Sequence, residues 1–194
     1  MAHISSTDHA SILSTRDRET LLAHARRSIA SGLEGERLAV RPDEFSAMLA
    51  APAASFVTLR IGAELRGCIG TLEAERALIV DVVSNAYSSA FRDPRFAPVT
   101  RGEFDELDIH ISVLSAPEPM SFGSEVELLA QLRPGIDGLV LEEGAYRGTF
   151  LPAVWEQLAE PHDFLRQLKR KAGLPVDYWS ATLRVSRYTA SSIP

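Results

Sequence analysis

The most informative segment of the chain is Leu65-Arg66-Gly67-Cys68-Ile69-Gly70-Thr71, which contains the single cysteine of the protein. In an extended strand, residues i and i+2 lie on the same face, so Arg66 and Cys68 are predicted to lie side by side. Gly67 and Gly70 have no side chains, which lets another backbone or a ligand approach closely. Because a guanidinium beside a thiol favours the thiolate, the segment predicts a cysteine with its own chemistry or a binding cleft around it.

The residues around this segment predict a β-hairpin followed by a long helix. Residues 55–61 and 65–72 are the two strands, joined by a short turn, so the cysteine lies on the second strand. Residues 75–92 form the helix, which ends at Asp93-Pro94 because a residue before proline avoids the helical region. The apolar stripe of this helix comprises Leu78, Ile79, Val82, Val83, Ala86 and Ala90. Asn85 lies at the edge of the stripe and is predicted to reach toward whatever the stripe packs on.

The rest of the chain mixes helices with strands and hairpins. The predicted elements are a helix at 15–31 with a capping box at Ser14 and Asp17 and an end at Gly32, a short helix after Pro42, a strand at 107–115, a short helix at 125–132, a hairpin at 139–142 and 146–151, a short helix at 152–159, a helix at 163–172 and a final strand at 178–188. This order predicts an α+β fold with a mixed or mainly antiparallel sheet flanked by helices.

The division of the chain follows from its composition. Residues 1–13, with His3 and His9, are predicted to be a flexible polar leader, and residues 14–190 a single domain with a larger and a smaller lobe. A hydrophobic content of 45% is enough for one substantial core. The net charge of -6 gives no reason to expect binding to nucleic acid or to an anionic membrane. One cysteine excludes an internal disulfide, and neither a signal peptide nor an apolar membrane-spanning run is present, so a cytoplasmic protein is predicted.

Several segments carry a family resemblance. They are Leu65-Arg66-Gly67-Cys68-Ile69-Gly70, Asn85-Ala86, Asp93-Pro94-Arg95-Phe96, Ile111-Ser112-Val113-Leu114-Ser115, Gly138-Leu139, Thr149-Phe150-Leu151-Pro152, Phe164-Leu165, Lys171-Ala172-Gly173-Leu174 and Trp179. Together they closely resemble the AMMECR domain family over residues 21–188, and the first hexapeptide is its most distinctive signature. The chain departs from the family at His110, where an acidic residue is frequent, and at Ala153, where glutamine is usual.

The resemblance implies a two-lobed α+β fold and a set of partners. In bacteria and archaea, proteins of this kind resemble the first component of a three-part set, the AmmeMemoRadiSam system. Its other parts are a Memo-like protein and a radical S-adenosylmethionine enzyme. The resemblance assigns no molecular activity to the domain itself, and the modified molecule is open between a nucleic acid, a protein and a small molecule.

Three functional hypotheses follow for the cysteine segment and its surroundings. The leading one is an accessory component that recognises a substrate or partner through a polar cleft around Cys68, lined by Arg66, Gly67, Gly70, Asn85, Asp93, Arg95 and Phe96. The second is an enzyme that uses the Cys68 thiolate, with His24, His110 and His162 as the histidines available as a base. The third is an RNA-binding module that uses the basic residues Arg166, Lys169, Arg170 and Lys171.

Structural roles are the alternative for each of these residues. Cys68 can be a small buried strand residue, and Arg66 can pair with Asp93 or Glu64 to brace the hairpin. Asp93 and Arg95 can hold their own loop together, and His110 can be an ordinary surface residue. No cofactor or metal is predicted, because the chain has no paired histidine spacing, no second cysteine and no phosphate-binding loop.

Overall fold

The computed structural model describes residues 13–194. The predicted leader, with His3 and His9, lies outside the described residues except for Leu13, which is buried. Within residues 13–194 the helices are α1 (Thr15–Leu33), α2 (Ala47–Ala50), α3 (Leu78–Phe91), α4 (Glu125–Gln131) and α5 (Pro161–Ala172). The strands are β1 (Ser55–Ile61), β2 (Glu64–Gly70), β3 (Leu107–Leu114), β4 (Glu118–Pro119), β5 (Gly138–Glu143), β6 (Tyr146–Phe150), β7 (Arg184–Tyr188) and β8 (Ala190–Ile193). The predicted α+β class with antiparallel pairing is confirmed.

The described chain divides into two compact units, the first comprising the residues up to Ala116 with Ser191–Pro194 and the second Pro117–Ala190. The first unit contains a four-stranded sheet in the order β2-β1-β3-β8, in which β1 pairs antiparallel with β2 and β3. Helix α3 packs on β1 and β2, and α1 packs on α3. The core between them is apolar, and its fully buried members include Leu21, Ile29, Val57, Leu59, Leu78, Ile79, Val82 and Ile111.

Helix α1 begins as predicted and ends later than predicted. The Ser14 hydroxyl accepts from the Asp17 backbone N–H at 3.1 Å, and the Asp17 carboxylate accepts from the Ser14 N–H at 3.2 Å, which completes the capping box. The prediction that Gly32 ends the helix is wrong. Gly32 lies inside α1, where a Cβ would overlap the ring of Phe91. The missing side chain therefore lets α1 pack closely on α3.

The second unit contains a sheet in the order β4-β7-β5-β6, covered by α5, which packs on β5 and β6. Gly173 ends α5 in the left-handed region, at a φ of 91°, as predicted for a C-terminal cap. Its buried core includes Leu139, Leu141, Trp155, Phe164, Leu165 and Leu168. No helix among the described residues is long and apolar enough to cross a membrane.

The prediction of one final strand at 178–188 is wrong. The strand begins only at Arg184, because the preceding residues form turns, with the Tyr178 N–H bonded to the Pro175 carbonyl and the Leu183 N–H to the Ser180 carbonyl. After β7, the chain continues into β8, which belongs to the other four-stranded sheet. Side-chain alternation alone does not distinguish a strand from the turns that residues 178–183 form.

Candidate functional site

Cys68 lies on β2, the edge strand of the first sheet. In the register of the sheet, Thr58 on β1 is opposite Cys68 on one side and opposite His110 on the other. The three residues therefore form a row across three strands, on the face opposite to buried Val57 and Leu59. Cys68 is half-buried, and its Sγ lies 3.2 Å from Thr58 Oγ1. The thiol thus has a hydroxyl partner and partial access to solvent.

Asp93 binds the free edge of β2. Its carboxylate accepts from the Cys68 backbone N–H at 2.9 Å and from Arg95 Nη2 at 2.7 Å. Arg95 Nη2 also donates to the Cys68 carbonyl at 3.2 Å. The Asp93 side chain is 1% exposed. The hydrogen bond from Arg95 is the largest effect on the carboxyl, and with the Cys68 and Arg95 N–H groups it lowers the pKa of Asp93 to about 2 despite burial. Asp93 and Arg95 thus satisfy backbone groups that an edge strand leaves unpaired.

Asp93→Asn is expected to lower the free energy of unfolding by about 1–2 kcal/mol at pH 7. Because the folded-state pKa of about 2 lies below the 3.8 of a free aspartate, the carboxylate stabilises the fold above pH 4, and this contribution disappears as the pH falls toward 2. Urea unfolding at several pH values should therefore show that the wild type has a higher free energy of unfolding than the variant. This difference should be constant at neutral pH and shrink below pH 4. Asp105→Asn, at an exposed carboxylate, is the control. A difference in the free energy of unfolding that does not depend on pH would contradict the assignment of this stabilisation to the Asp93 charge.

Arg66 interrupts the regular pairing of β2. Leu59 is opposite Gly67 and Arg60 is opposite Leu65, so Arg66 is the extra residue of a β-bulge. Its guanidinium binds Glu103 through Nε at 2.8 Å and Nη2 at 3.3 Å, instead of the predicted partners Asp93 or Glu64. Glu103 also accepts from the backbone and hydroxyl of Thr100. The Arg66 hydrogen bond, followed by those from Thr100, lowers the pKa of Glu103 to about 2.

Phe96 is shared by the two arginines of this site. The guanidinium carbon of Arg95 lies 5.4 Å from the centre of the half-buried Phe96 ring, and that of Arg66 lies 6.0 Å from it. Both distances are within the range of cation–π attraction. The structure thus brings Cys68, Arg66, Asp93, Arg95 and Phe96 together at one edge of the sheet. We call these five residues the Cys68 surface.

Asn85 is not part of the Cys68 surface. It is 3% exposed, and its Nδ2 donates to the Ser55 carbonyl at 3.0 Å and to Asp81 Oδ2 at 2.8 Å. The prediction that it reaches toward the packing partner of its helix is confirmed, since Ser55 begins β1. Its amide therefore joins α3 to the sheet from within the core.

Sequence reasoning missed Asp81, which is the centre of this buried network. Its carboxylate also accepts from the Ser55 backbone N–H at 3.0 Å, the Ser55 hydroxyl at 2.7 Å, the Thr71 hydroxyl at 2.9 Å and Arg76 Nη2 at 2.8 Å. The Asp81 side chain is 2% exposed. A charged residue in the apolar stripe of a helix, four residues before Asn85, was the signal available in the sequence. Thr71, the last residue of the opening segment, is therefore part of this buried hydrogen-bond network.

The space where Gly67 and Gly70 would carry side chains is occupied by other parts of the protein. A Cβ on Gly67 would overlap the backbone carbonyl oxygen of Ser89 on α3. A Cβ on Gly70 would overlap the Phe56 ring and lie 2.5 Å from the Ser55 carbonyl oxygen. The close approach predicted from these glycines is thus made by α3 and β1. Neither glycine leaves room for a ligand at its own Cα.

The other residues for which chemistry was predicted lie outside the Cys68 surface. His110 Nε2 lies 2.8 Å from Asp108 of the same strand. In the predicted basic helix, Lys169 is fully buried and bound to Glu125 at 2.7 Å, while Arg166, Arg170 and Lys171 remain exposed. Within residues 13–194, no group of three or more histidine, cysteine and carboxylate side chains could hold a metal ion.

Comparison with known proteins places the chain in a family. The AMMECR1 family model matches residues 22–193. A protein of Methanothermobacter thermautotrophicus is 38% identical over 182 residues, covering 92% of this chain and 94% of that protein. Protein MJ0810 of Methanocaldococcus jannaschii is 33% identical over 183 residues, covering 92% and 90%. The crystal structure of the uncharacterized protein PH0010 from Pyrococcus horikoshii superposes with a TM-score of 0.83 at 34% identity, over 90% of this chain and 89% of that one. The chain belongs to the AMMECR1 family.

Proposed function

We propose that the protein is a recognition component of a multi-protein modification system and that it contacts its substrate or partner through the Cys68 surface. The observation that carries this proposal is the pairing of both arginines beside the cysteine. Arg66 is bound to Glu103 and Arg95 to Asp93, so neither guanidinium is an uncompensated cation beside the thiol. The ion pairs hold the arginine side chains in place. They leave no unpaired positive charge on these two residues that would favour the thiolate form of Cys68.

Fixed side chains favour recognition for a physical reason. Arginine and aromatic residues are enriched in the cores of protein interfaces. A side chain that is already held by an ion pair loses little conformational entropy on binding. Arg95 is 54% exposed at its side chain although it is anchored by Asp93, and Phe96 is half-buried beside it. The Cys68 surface therefore offers a preformed contact for a partner.

The family resemblance supports a specific choice of partner. The proposed partners are a Memo-like protein and a radical S-adenosylmethionine enzyme, and the experiment is a binding measurement with each of these proteins from the same organism. Phe96→Ala is expected to weaken binding at least about tenfold, because it removes the aromatic centre of the surface. Tyr146→Ala, at an exposed aromatic residue of the second unit, is the matched control and should bind as the wild type does. Absence of binding to both proteins, or equal binding by Phe96→Ala, would contradict the proposal.

A second candidate function is thiol chemistry at Cys68. The observation that favours it is the cross-strand row, in which Thr58 contacts Cys68 and is paired with His110. A proton route from the thiol through the Thr58 hydroxyl to the imidazole would require His110 to turn toward Thr58 from Asp108, to which its Nε2 is bonded at 2.8 Å. Because Cys68 is the only cysteine, its alkylation rate can be measured directly as a function of pH. A rate well above that of an ordinary thiol at pH 7, reduced by His110→Ala, would favour this function; an ordinary rate unaffected by His110→Ala would exclude it.

A further inference from the structure

A pocket that shares no residue with the Cys68 surface lies along the outer side of α3. It has a volume of about 300 Å³ and is formed by the end of α1, the segment 37–40 and one side of α3. Its apolar wall includes Val40, Val80 and Val83, and its polar groups include Arg37, Arg76 and Tyr87. This volume is at the lower end of the range for small-molecule sites.

Arg37 is the most informative residue of this pocket. Its guanidinium carbon lies 3.8 Å from the centre of the Tyr87 ring, which is stacking distance. Among residues 13–194, no carboxylate lies within ion-pairing distance of Arg37. The positive charge of Arg37 is therefore not neutralised by a neighbouring carboxylate of the described chain. Stacking fixes the plane of the guanidinium while its edge donors stay available to an anion.

Other groups of the pocket complement an anion. Arg76 contributes a second guanidinium, held in place by its bond to Asp81 at 2.8 Å and 39% exposed at its side chain. The hydroxyls of Ser84 and Tyr87, which also line the pocket, have no hydrogen-bond partner within the described part of the chain. Arg92 lies 5.8 Å from the centre of the same Tyr87 ring and adds positive charge nearby. Cationic and hydroxyl donors thus lie beside an apolar wall.

We infer that this pocket binds a small organic anion, whose phosphate or carboxylate group is held by Arg37 and Arg76 and whose apolar part packs on Val40 and Val80. The planar fork of arginine matches both phosphate and carboxylate by paired hydrogen bonds. The apolar wall gives an organic anion an advantage over an inorganic one. A single substituted ring is small enough to enter a pocket of about 300 Å³.

Titration calorimetry with phenyl phosphate, benzoate, inorganic phosphate and benzyl alcohol tests this inference. At least one of the two organic anions is expected to bind more tightly than both inorganic phosphate and benzyl alcohol, and the preferred organic anion identifies the head group. Binding should weaken with added salt, because the contact is between charges near the surface. Absence of binding by both organic anions at millimolar concentration would overturn the inference.

Arg37→Ala is expected to weaken binding of the preferred organic anion at least about tenfold, because a charge-assisted fork is lost. Arg37 is exposed, so the variant should fold as the wild type does, which a thermal unfolding curve checks. Arg37→Lys keeps the charge but loses the planar fork, and it should also bind more weakly than the wild type. Arg166→Ala, at an exposed arginine of the second unit, is the matched control. Equal affinity of Arg37→Ala and the wild type would overturn the inference.

Discussion

Asp81→Ala is expected to lower the free energy of unfolding by about 3–5 kcal/mol, because it removes the acceptor at the centre of a buried network. The carboxylate accepts from Ser55, Thr71, Arg76 and Asn85. Its loss leaves the Ser55 N–H without its acceptor inside the core and leaves the Asn85 amide with Ser55 as its only acceptor within residues 13–194. Each buried donor without a partner costs about 1–3 kcal/mol. Such a loss is a large share of the 5–15 kcal/mol that stabilises a typical domain.

Denaturant unfolding of the wild type and the variant measures this effect. Asp81→Asn keeps the size of the side chain and one acceptor oxygen, so it should cost less than Asp81→Ala. Asp43→Ala is the control, because Asp43 also pairs with an arginine but its side chain is 65% exposed. That variant should change the free energy of unfolding by less than about 1 kcal/mol. If Asp81→Ala were no more destabilising than Asp43→Ala, the network would not be a main support of the fold.

Gly67→Ala is expected to lower the free energy of unfolding by about 1–3 kcal/mol or more, because the added methyl group overlaps the backbone of α3. The Cβ would overlap the Ser89 carbonyl oxygen and lie 3.0 Å from the Ser89 carbonyl carbon. A backbone cannot rotate away as a side chain can, so β2 and α3 must separate. Separation would also disturb the bond from the Ile69 N–H to the Ser89 hydroxyl, which is 2.9 Å long.

The matched control for Gly67 is Gly102→Ala. Gly102 has no atom within 4 Å of its ideal Cβ and no positive φ. Its substitution should be neutral or stabilising by up to about 1 kcal/mol, because alanine restricts the unfolded chain. Thermal unfolding of both variants separates the overlap from the general effect of losing a glycine. A Gly67→Ala variant as stable as the wild type would show that α3 can move away from β2 without cost.

Local patterns predicted much of the first unit correctly. The hairpin of β1 and β2, the apolar stripe of α3 and the capping box of α1 depend on neighbouring residues, so the sequence carries them directly. Asn85 reaches Ser55 because its position on the helical wheel directs it toward the sheet. The same local rules failed for Gly32, whose close contact with Phe91 comes from a distant helix.

The candidate site was predicted only in part. The segment 93–96 and the cysteine strand are close together in the structure, as the hypothesis of one cleft required. The partner of Arg66 could not be read from the sequence, because a β-bulge interrupts the alternation at this residue and Glu103 lies 37 positions along the chain. The burial of Lys169 could likewise not be predicted, because its helix is rich in basic residues that are otherwise exposed.

The sequence by itself determined most of the elements and the family, because capping, periodicity and the cysteine segment depend on consecutive residues. The tertiary structure decided what those residues do. It assigned Gly67 and Gly70 to close packing, Thr71 and Asn85 to the Asp81 network, and Arg66 to Glu103. It also placed Arg37 on the ring of Tyr87. These roles depend on contacts between segments far apart in the chain, which become neighbours only when the core forms.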